Sequence, residues 1–418
     1  MQESSKKEAQ RIGFAMLVGL VAGLILHFLK MEEYVAYVKP VGTVFIRLLK
    51  MVIVPLVLSS IFMSMINLGT PEALGSMGRK AVSYYFVTTV IAVFFGLIFV
   101  NLVQPGVGAD LTAEGLSGLS ADMASKVQNS KGLWGTIVGV LVDAIPTNPF
   151  EAFATSSVLQ IIVFAILFGI VALYNPKDSK FFVDFMGSLE NMSLALTHGI
   201  MKFAPLGIFV LMLDVMAKSG PDAIKSLSKY ILTVILGLGC HAILLLVIAM
   251  IRLKKSPLFI LKGLSSALLT AFSTSSSAAT LPITMANVEE NLGVRKETAK
   301  FVLPLGATVN MDGTALYESV AAIFIAQAYN IHLSLGQQVV IFMTASLAAI
   351  GAAAIPGAGL ITMSIVLGAV GLPIEGIGLI LAVDRLLDMF RTTVNVFGDC
   401  VGTIFVDSLL NKEEAKSN

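Results

Sequence analysis

Asn310-Met311-Asp312-Gly313-Thr314 interrupts an otherwise apolar run over residues 301–328. An Asp near the middle of such a run costs roughly 2.5–3.5 kcal/mol to insert into a bilayer, so its presence demands a compensating role. Asn, Asp and Thr bring hard oxygen donors, and Gly313 allows the backbone to leave helical geometry and turn carbonyls inward. The pentapeptide reads as a cation and solute site on a broken membrane helix.

The composition around it agrees. Of 418 residues, 56% are hydrophobic and 13% charged, and the mean hydropathy is +0.87. Soluble domains carry about 25% charged residues, so the chain is an all-α polytopic membrane protein. A net charge of +1 suggests no nucleic-acid partner. Cys240 and Cys400 are far apart and fit buried packing. His27, His198, His241 and His332 share no helical spacing, which argues against zinc. After Lys6, Lys7 and Arg11 the apolar run 12–28 lacks a cleavage pattern and reads as a retained first helix.

Apolar segments long enough to span fall at 12–30, 42–67, 81–104, 134–174 (broken near Ile145-Pro146-Thr147-Asn148-Pro149), 190–217 and 229–253. With the termini cytoplasmic, the inside loops are 75–80, 175–180 and 252–255, each with at least two Lys or Arg, although the outer loops carry Lys30, Lys39, Lys126, Lys131, Lys218 and Lys225. The polar stretch 106–132 becomes an outer loop. Pro55, Pro146, Pro149 and Pro205 read as local kinks.

Beyond 255 the pattern changes. The 16-residue apolar stretch 257–272 is about 24 Å long as a helix and too short to cross comfortably. It ends in Ser273-Thr274-Ser275-Ser276-Ser277, after which 278–288 is apolar again. A re-entrant hairpin with its serine tip buried at membrane depth accommodates this. The form recurs: 339–350, then Gly351-Ala352-Ala353-Ala354-Ile355-Pro356-Gly357-Ala358-Gly359, then 360–370. Each hairpin adjoins a polar helix, one with Asn310 and Asp312, the other (379–410) with Asp384, Arg385, Asp388, Arg391, Asn395 and Asp399. Paired interrupted segments in repeated positions point to a secondary transporter with its site where the tips meet.

Asp388, Arg391, Asn395 and Asp399 are spaced by three, four and four and share one helix face. Asp388 suits a substrate ammonium and Arg391 a carboxylate, which describes an amino acid, acidic if the side chain carries a second carboxylate. A buried salt-bridge ladder between helices is the structural alternative. Oxygen donors without a sulfur or imidazole cluster favour Na+ as the coupled ion. Glu318, one turn past Thr314, is either a neutral hydrogen-bonded passenger or a proton carrier. An intramembrane serine hydrolase would need a base beside Ser275–Ser277, and no His or Lys lies at that depth in the sequence.

Ser275-Ser276-Ser277-Ala278-Ala279-Thr280-Leu281-Pro282, Asn310-Met311-Asp312-Gly313-Thr314, Pro356-Gly357-Ala358-Gly359 and the run Asp388-Met389-Phe390-Arg391-Thr392-Thr393-Val394-Asn395-Val396-Phe397-Gly398-Asp399 together resemble the glutamate transporter family. These are the dicarboxylate/amino acid:cation symporters, which include archaeal aspartate transporters and excitatory amino acid transporters. The resemblance covers nearly the whole chain. It implies eight membrane helices, two re-entrant helical hairpins in inverted repeats, and a homotrimer in the cell membrane that works by an elevator motion and is not an enzyme. Residues 1–80 would supply scaffold helices, 81–105 a transport-domain helix, 106–220 further scaffold and the outer loop, and 221–418 the rest of the transport domain.

By the same resemblance, the substrate contacts are Ser275, Ser277, Thr314, Ile355, Gly359, Asp388, Arg391, Thr392 and Asn395. Sodium ligands would be Gly306, Asn310, Asn395 and Asp399 at one site, and Thr308, Ala349, Ile350 and Ala352 at a second. A third would use Tyr85, Thr88, Thr89, Asn310 and Asp312. Met311 stands where proton-coupled bacterial relatives have Leu, which favours Na+ over the proton-coupled glutamate/dicarboxylate alternative. Arg391 favours L-aspartate or L-glutamate. Glu318 matches the proton carrier of the animal transporters, linked there to K+ counter-transport. Two family arginines are missing, at Ser275 and at Met389, and Arg385 is a candidate replacement.

Overall fold

The computed structural model describes residues 2–68, 71–108, 138, 142, 144–155, 157–350, 358–373 and 376–417, and these contain helices and no strand. The helices are α1 (Gln2–Leu29), α2 (Lys39–Leu68), α3 (Pro71–Val103), α4 (Pro149–Ala154), α5 (Val158–Tyr174), α6 (Pro176–Leu253), α7 (Pro257–Thr274), α8 (Ser277–Ala286), α9 (Lys296–Val309), α10 (Asp312–Ala328), α11 (Leu335–Ile350), α12 (Ala358–Ala369) and α13 (Ile377–Ser417). Most of the expected outer loop, much of the start of the fourth region and the second hairpin's tip, 351–357, lie outside the described residues.

Gly75 (φ 57°) and Gly220 (φ 56°) break α3 and α6 in the left-handed region that glycine enters without strain. Each long helix is therefore two rods. The first part of α6 bends by a further 53° between Pro176–Thr197 and Lys202–Lys218, next to Pro205, whose ring clashes with the preceding turn. Pro149, expected as a kink, starts a helix instead: it is the first residue of α4, and Asn148 caps that turn by accepting from Phe150 N–H. Gly19 and Gly23 of α1 press on α6, and a Cβ there would lie 2.6 Å from Phe209 O and 2.5 Å from Met216 Cβ. Such small-residue contacts bring helix backbones close where no water drives association.

Among the described residues, Gly75–Val103, Ile224–Leu253, Pro257–Thr274 and Val383–Asn411 are long and apolar enough to cross a bilayer; the bent pair makes a fifth. For Pro257–Thr274 the hydrogen bonds show a reversal. Asn287 Oδ1 accepts from Ser266 Oγ (2.8 Å) and Ala267 N (3.1 Å), and Asn291 Nδ2 donates to Gly263 O (2.8 Å). The chain beyond α8 thus returns alongside α7. Ser275 turns the corner at φ 51°, and Ser276 caps α8 by accepting from Ala279 N–H. At 18 residues α7 is longer than expected, because Ser273 and Thr274 return their hydroxyls to Leu269 O and Thr270 O and stay helical.

The run 301–328 is broken as expected, at Asn310 (φ −90°, ψ 96°) and Met311 (φ −122°, ψ 45°). Gly313, however, is not the hinge. It lies inside α10, where a Cβ would stand 2.5 Å from Arg391 O. Its job is close approach to α13. In α10 every residue except Gln327 is buried, enclosed by α3, α6, α11, α12 and α13.

Candidate functional site

The gap between α9 and α10 meets the polar face of α13. Asn395 Oδ1 accepts from Gly313 N–H (2.8 Å), capping α10, while its Nδ2 reaches Met311 Sδ (3.2 Å) and Thr314 Oγ1 (3.3 Å). Asn310 Nδ2 donates to Asn395 O (3.1 Å) and Asp399 Oδ1 (2.9 Å). Asn310 Oδ1 is buried without a hydrogen-bond donor among the described residues. Tyr85 of α3 closes this set. A Cβ on Gly306 would meet Tyr85 Oη at 2.6 Å and Asp399 Oδ1 at 2.7 Å, so only glycine admits both.

A second carboxylate, Asp312, is fully buried. Thr89 Oγ1 donates to its Oδ1 (2.7 Å), and His241 Nε2 lies 2.8 Å from its Oδ2. Thr88 is buried too, with its hydroxyl on Tyr85 O. Two buried carboxylates and an unclaimed amide oxygen make an oxygen-donor set of the kind that suits a hard monovalent cation.

The second expected ion set would bind through backbone carbonyls, and one of its members lies outside the described residues. The Thr308 side chain is exposed and returns its hydroxyl to Leu305 O (2.9 Å). Ala349 is buried, Ile350 ends α11, and Ala352 lies outside the described residues.

One turn up α13 from Asn395, Arg391 is 1% exposed. Its Nη2 donates to Asp388 Oδ1 (2.8 Å) and stands 3.3 Å from Asp384 Oδ1. Its guanidinium stacks 3.9 Å from the centre of the Tyr317 ring. The partners lie on its own helix, so this is not a ladder between helices. Nε and Nη1 have no hydrogen-bond partner among the described residues, and the guanidinium lies against Gly359, where a Cβ would collide with it. Gly359 is thus space for the arginine. Arg385 stands 3.7 Å from Asp388 Oδ2, which leaves Asp388 between two guanidiniums.

Thr392, next to Arg391 in the chain, is buried, and so are Ser275 and Ser277 at the hairpin tip. Phe272, just before the hairpin tip, packs edge-on against Phe390 at 5.2 Å, which docks the tip on α13 next to Arg391. Ser275 Oγ has no partner among the described residues. Ile355 lies outside them. Glu318 is fully buried one turn beyond Thr314, with Thr362 of α12 beside its carboxyl. The sequence reading gave no site role to His241, Asp384 or Tyr317. A histidine in the middle of an apolar span was the available signal for the first.

Buried charges on and beside a broken helix, in an apolar chain whose described residues are mainly helical, are features of a secondary transporter. The chain belongs to the sodium:dicarboxylate symporter family, whose profile matches residues 9–409. It is 37% identical to excitatory amino acid transporter 3 of Oryctolagus cuniculus over 96% of this chain and 84% of the relative. It is 36% identical to an excitatory amino acid transporter of Caenorhabditis elegans over 93% and 84%. Against the proton/sodium-glutamate symport protein of Bacillus caldotenax the identity is 34%, over 97% of both chains.

Proposed function

We propose that the protein is a sodium-coupled symporter of L-aspartate, L-glutamate or both. The observation that carries this is the buried Asp388–Arg391 pair, about two to three turns along α13 from Asp399 of the oxygen set. An amino acid offers an ammonium to Asp388 and a carboxylate to the unclaimed edge of Arg391, so each charge gains a partner and neither is stranded. Ser275, Ser277, Thr314, Gly359, Thr392, Asn395 and, in the undescribed tip, Ile355 complete the substrate set in this reading. Asn395 links the levels, because the residue that caps α10 also lends its carbonyl to Asn310. Na+ held at Gly306, Asn310, Asn395 and Asp399, and at Tyr85, Thr88, Thr89, Asn310 and Asp312, would order the α9–α10 break and with it Thr314. A further Na+ at Thr308, Ala349, Ile350 and Ala352 belongs to the same reading.

Ion substitution tests it. At fixed pH, replacing sodium by choline should abolish aspartate uptake; uptake sustained by a proton gradient alone would assign the protein to proton-coupled symport. Glu318 serves here as a proton carrier, its burial beside Thr362 supporting that role. Glu318→Gln should then flatten the pH dependence of uptake, and an identical pH profile would remove the proton role. Outward apolar side chains on α1, α2, α4, α5 and α6 before Gly220 support a membrane-embedded scaffold; its homotrimeric assembly in the cell membrane with cytoplasmic termini belongs to the same reading. Residues 81–105 and 221–418 would move against it as the transport domain.

A further inference from the structure

His241 lies on the part of α6 beyond Gly220, is fully buried, and touches the oxygen set at one point, Nε2 to Asp312 Oδ2 at 2.8 Å. Its other ring nitrogen, Nδ1, has no partner among the described residues, and the edge of Phe95 covers the ring at 6.3 Å. A bare Nδ1 lone pair is less costly to bury than an N–H without an acceptor. The arrangement therefore selects the neutral tautomer with the proton on Nε2, donated to the carboxylate. Thr89 donates to the other oxygen from α3. Two donors from two helices, one on each oxygen, fix both the position and the plane of the carboxylate. An ionised carboxylate accepts at about four lone-pair sites, so each oxygen keeps one for a cation. The imidazole itself is occupied and is the wrong donor type for an alkali ion.

We infer that His241 is a positioning residue for sodium: its Nε2–H aims Asp312 at the transported ion, and it touches neither the ion nor the amino acid. The inference rests on the sodium reading above. Residues that orient a metal's carboxylate ligands typically change affinity by about 10–100-fold when removed.

The test uses the purified full-length protein in detergent, with NaCl titrated against a KCl background at constant ionic strength. Sodium-dependent thermal stabilisation is the readout, and aspartate affinity at saturating sodium is measured separately. The amide nitrogen of Gln overlays imidazole Nε2, whereas that of Asn overlays Nδ1. His241→Gln should therefore keep the wild-type sodium midpoint, while His241→Asn and His241→Leu should raise it about tenfold or more. Aspartate affinity at saturating sodium should change far less than that midpoint. Should His241→Leu not fold, the Gln and Asn variants still decide, since both are polar and of similar size. Equal midpoints for wild type and His241→Asn, or equal losses for Asn and Gln, would overturn the assignment. A wild-type protein with no sodium-specific stabilisation would instead overturn the sodium reading on which it rests.

Discussion

Phe14, Leu29, Phe150, Phe181 and Met192, all before residue 220, are each more than 60% exposed; Leu316, Tyr317, Val320, Ile323 and Phe324 of α10 are at 3% or less. Among the described residues the buried charged groups and the buried histidine, His241, Asp312, Glu318, Asp384, Asp388, Arg391, Asp399 and Asp407, all lie after 240. Both regions expose apolar side chains, Leu269 (67%) and Leu335 (72%) among them in the second, but among the described residues only the second buries charge. The first turns apolar side chains outward, where lipid or another copy of the chain can cover them. The second surrounds charges with protein, the only way to keep them at membrane depth. Packing in the second region is consequently unforgiving, and substitutions there should be felt far more strongly than in the first.

The largest effect is expected at Arg391. Its replacement by Ala leaves Asp388 and Asp384 without their shared cation and removes the carboxylate partner, at a cost on the order of 2–5 kcal/mol in binding of an acidic substrate. Competition assays should show preference moving to neutral amino acids, and unchanged aspartate affinity would refute the assignment. Next comes Gly313→Ala, whose Cβ meets the backbone of Arg391. Overpacking of this kind costs about 1–3 kcal/mol, seen as a lower melting temperature together with weaker substrate binding. Asn287→Ala, which unties the arms of the first hairpin at Ser266 and Ala267, should cost about 1 kcal/mol, measured as faster hydrogen exchange over α7 and α8. The smallest effect belongs to the first region. Gly187, inside the straight Pro176–Thr197 piece of α6, would place a Cβ in ordinary contact, 3.6 Å from Met63 Cε, so Gly187→Ala should raise stability by about 0.5–1 kcal/mol through helix propensity and leave sodium dependence unmoved. If Gly313→Ala were as well tolerated as Gly187→Ala, the contrast between the regions would fail.

The elements legible in the sequence are those whose cause is local. A serine run after a short apolar segment marks a hairpin tip, since capping and turn formation need only neighbours along the chain, and Ser275 and Ser276 supply both. Polar residues at three- and four-residue spacing mark a helix face, and Asp388, Arg391, Asn395 and Asp399 do share one buried face of α13. What was not legible depends on other helices. The reason for Gly313 is the backbone of Arg391, 78 positions away; the reason for Gly306 is Tyr85. His241 looks like an isolated histidine until α6 sets it against Asp312. Arg391 meeting Asp384 as well as Asp388 depends on side-chain direction, which spacing does not specify.

The measurement closest to the central claim is uptake of radiolabelled aspartate into proteoliposomes carrying an inward sodium gradient at equal pH and zero membrane potential. Accumulation above the external concentration, collapsing when a sodium ionophore is added, is the expected result. Equilibration to the external concentration and no further, with or without sodium, would contradict coupled symport.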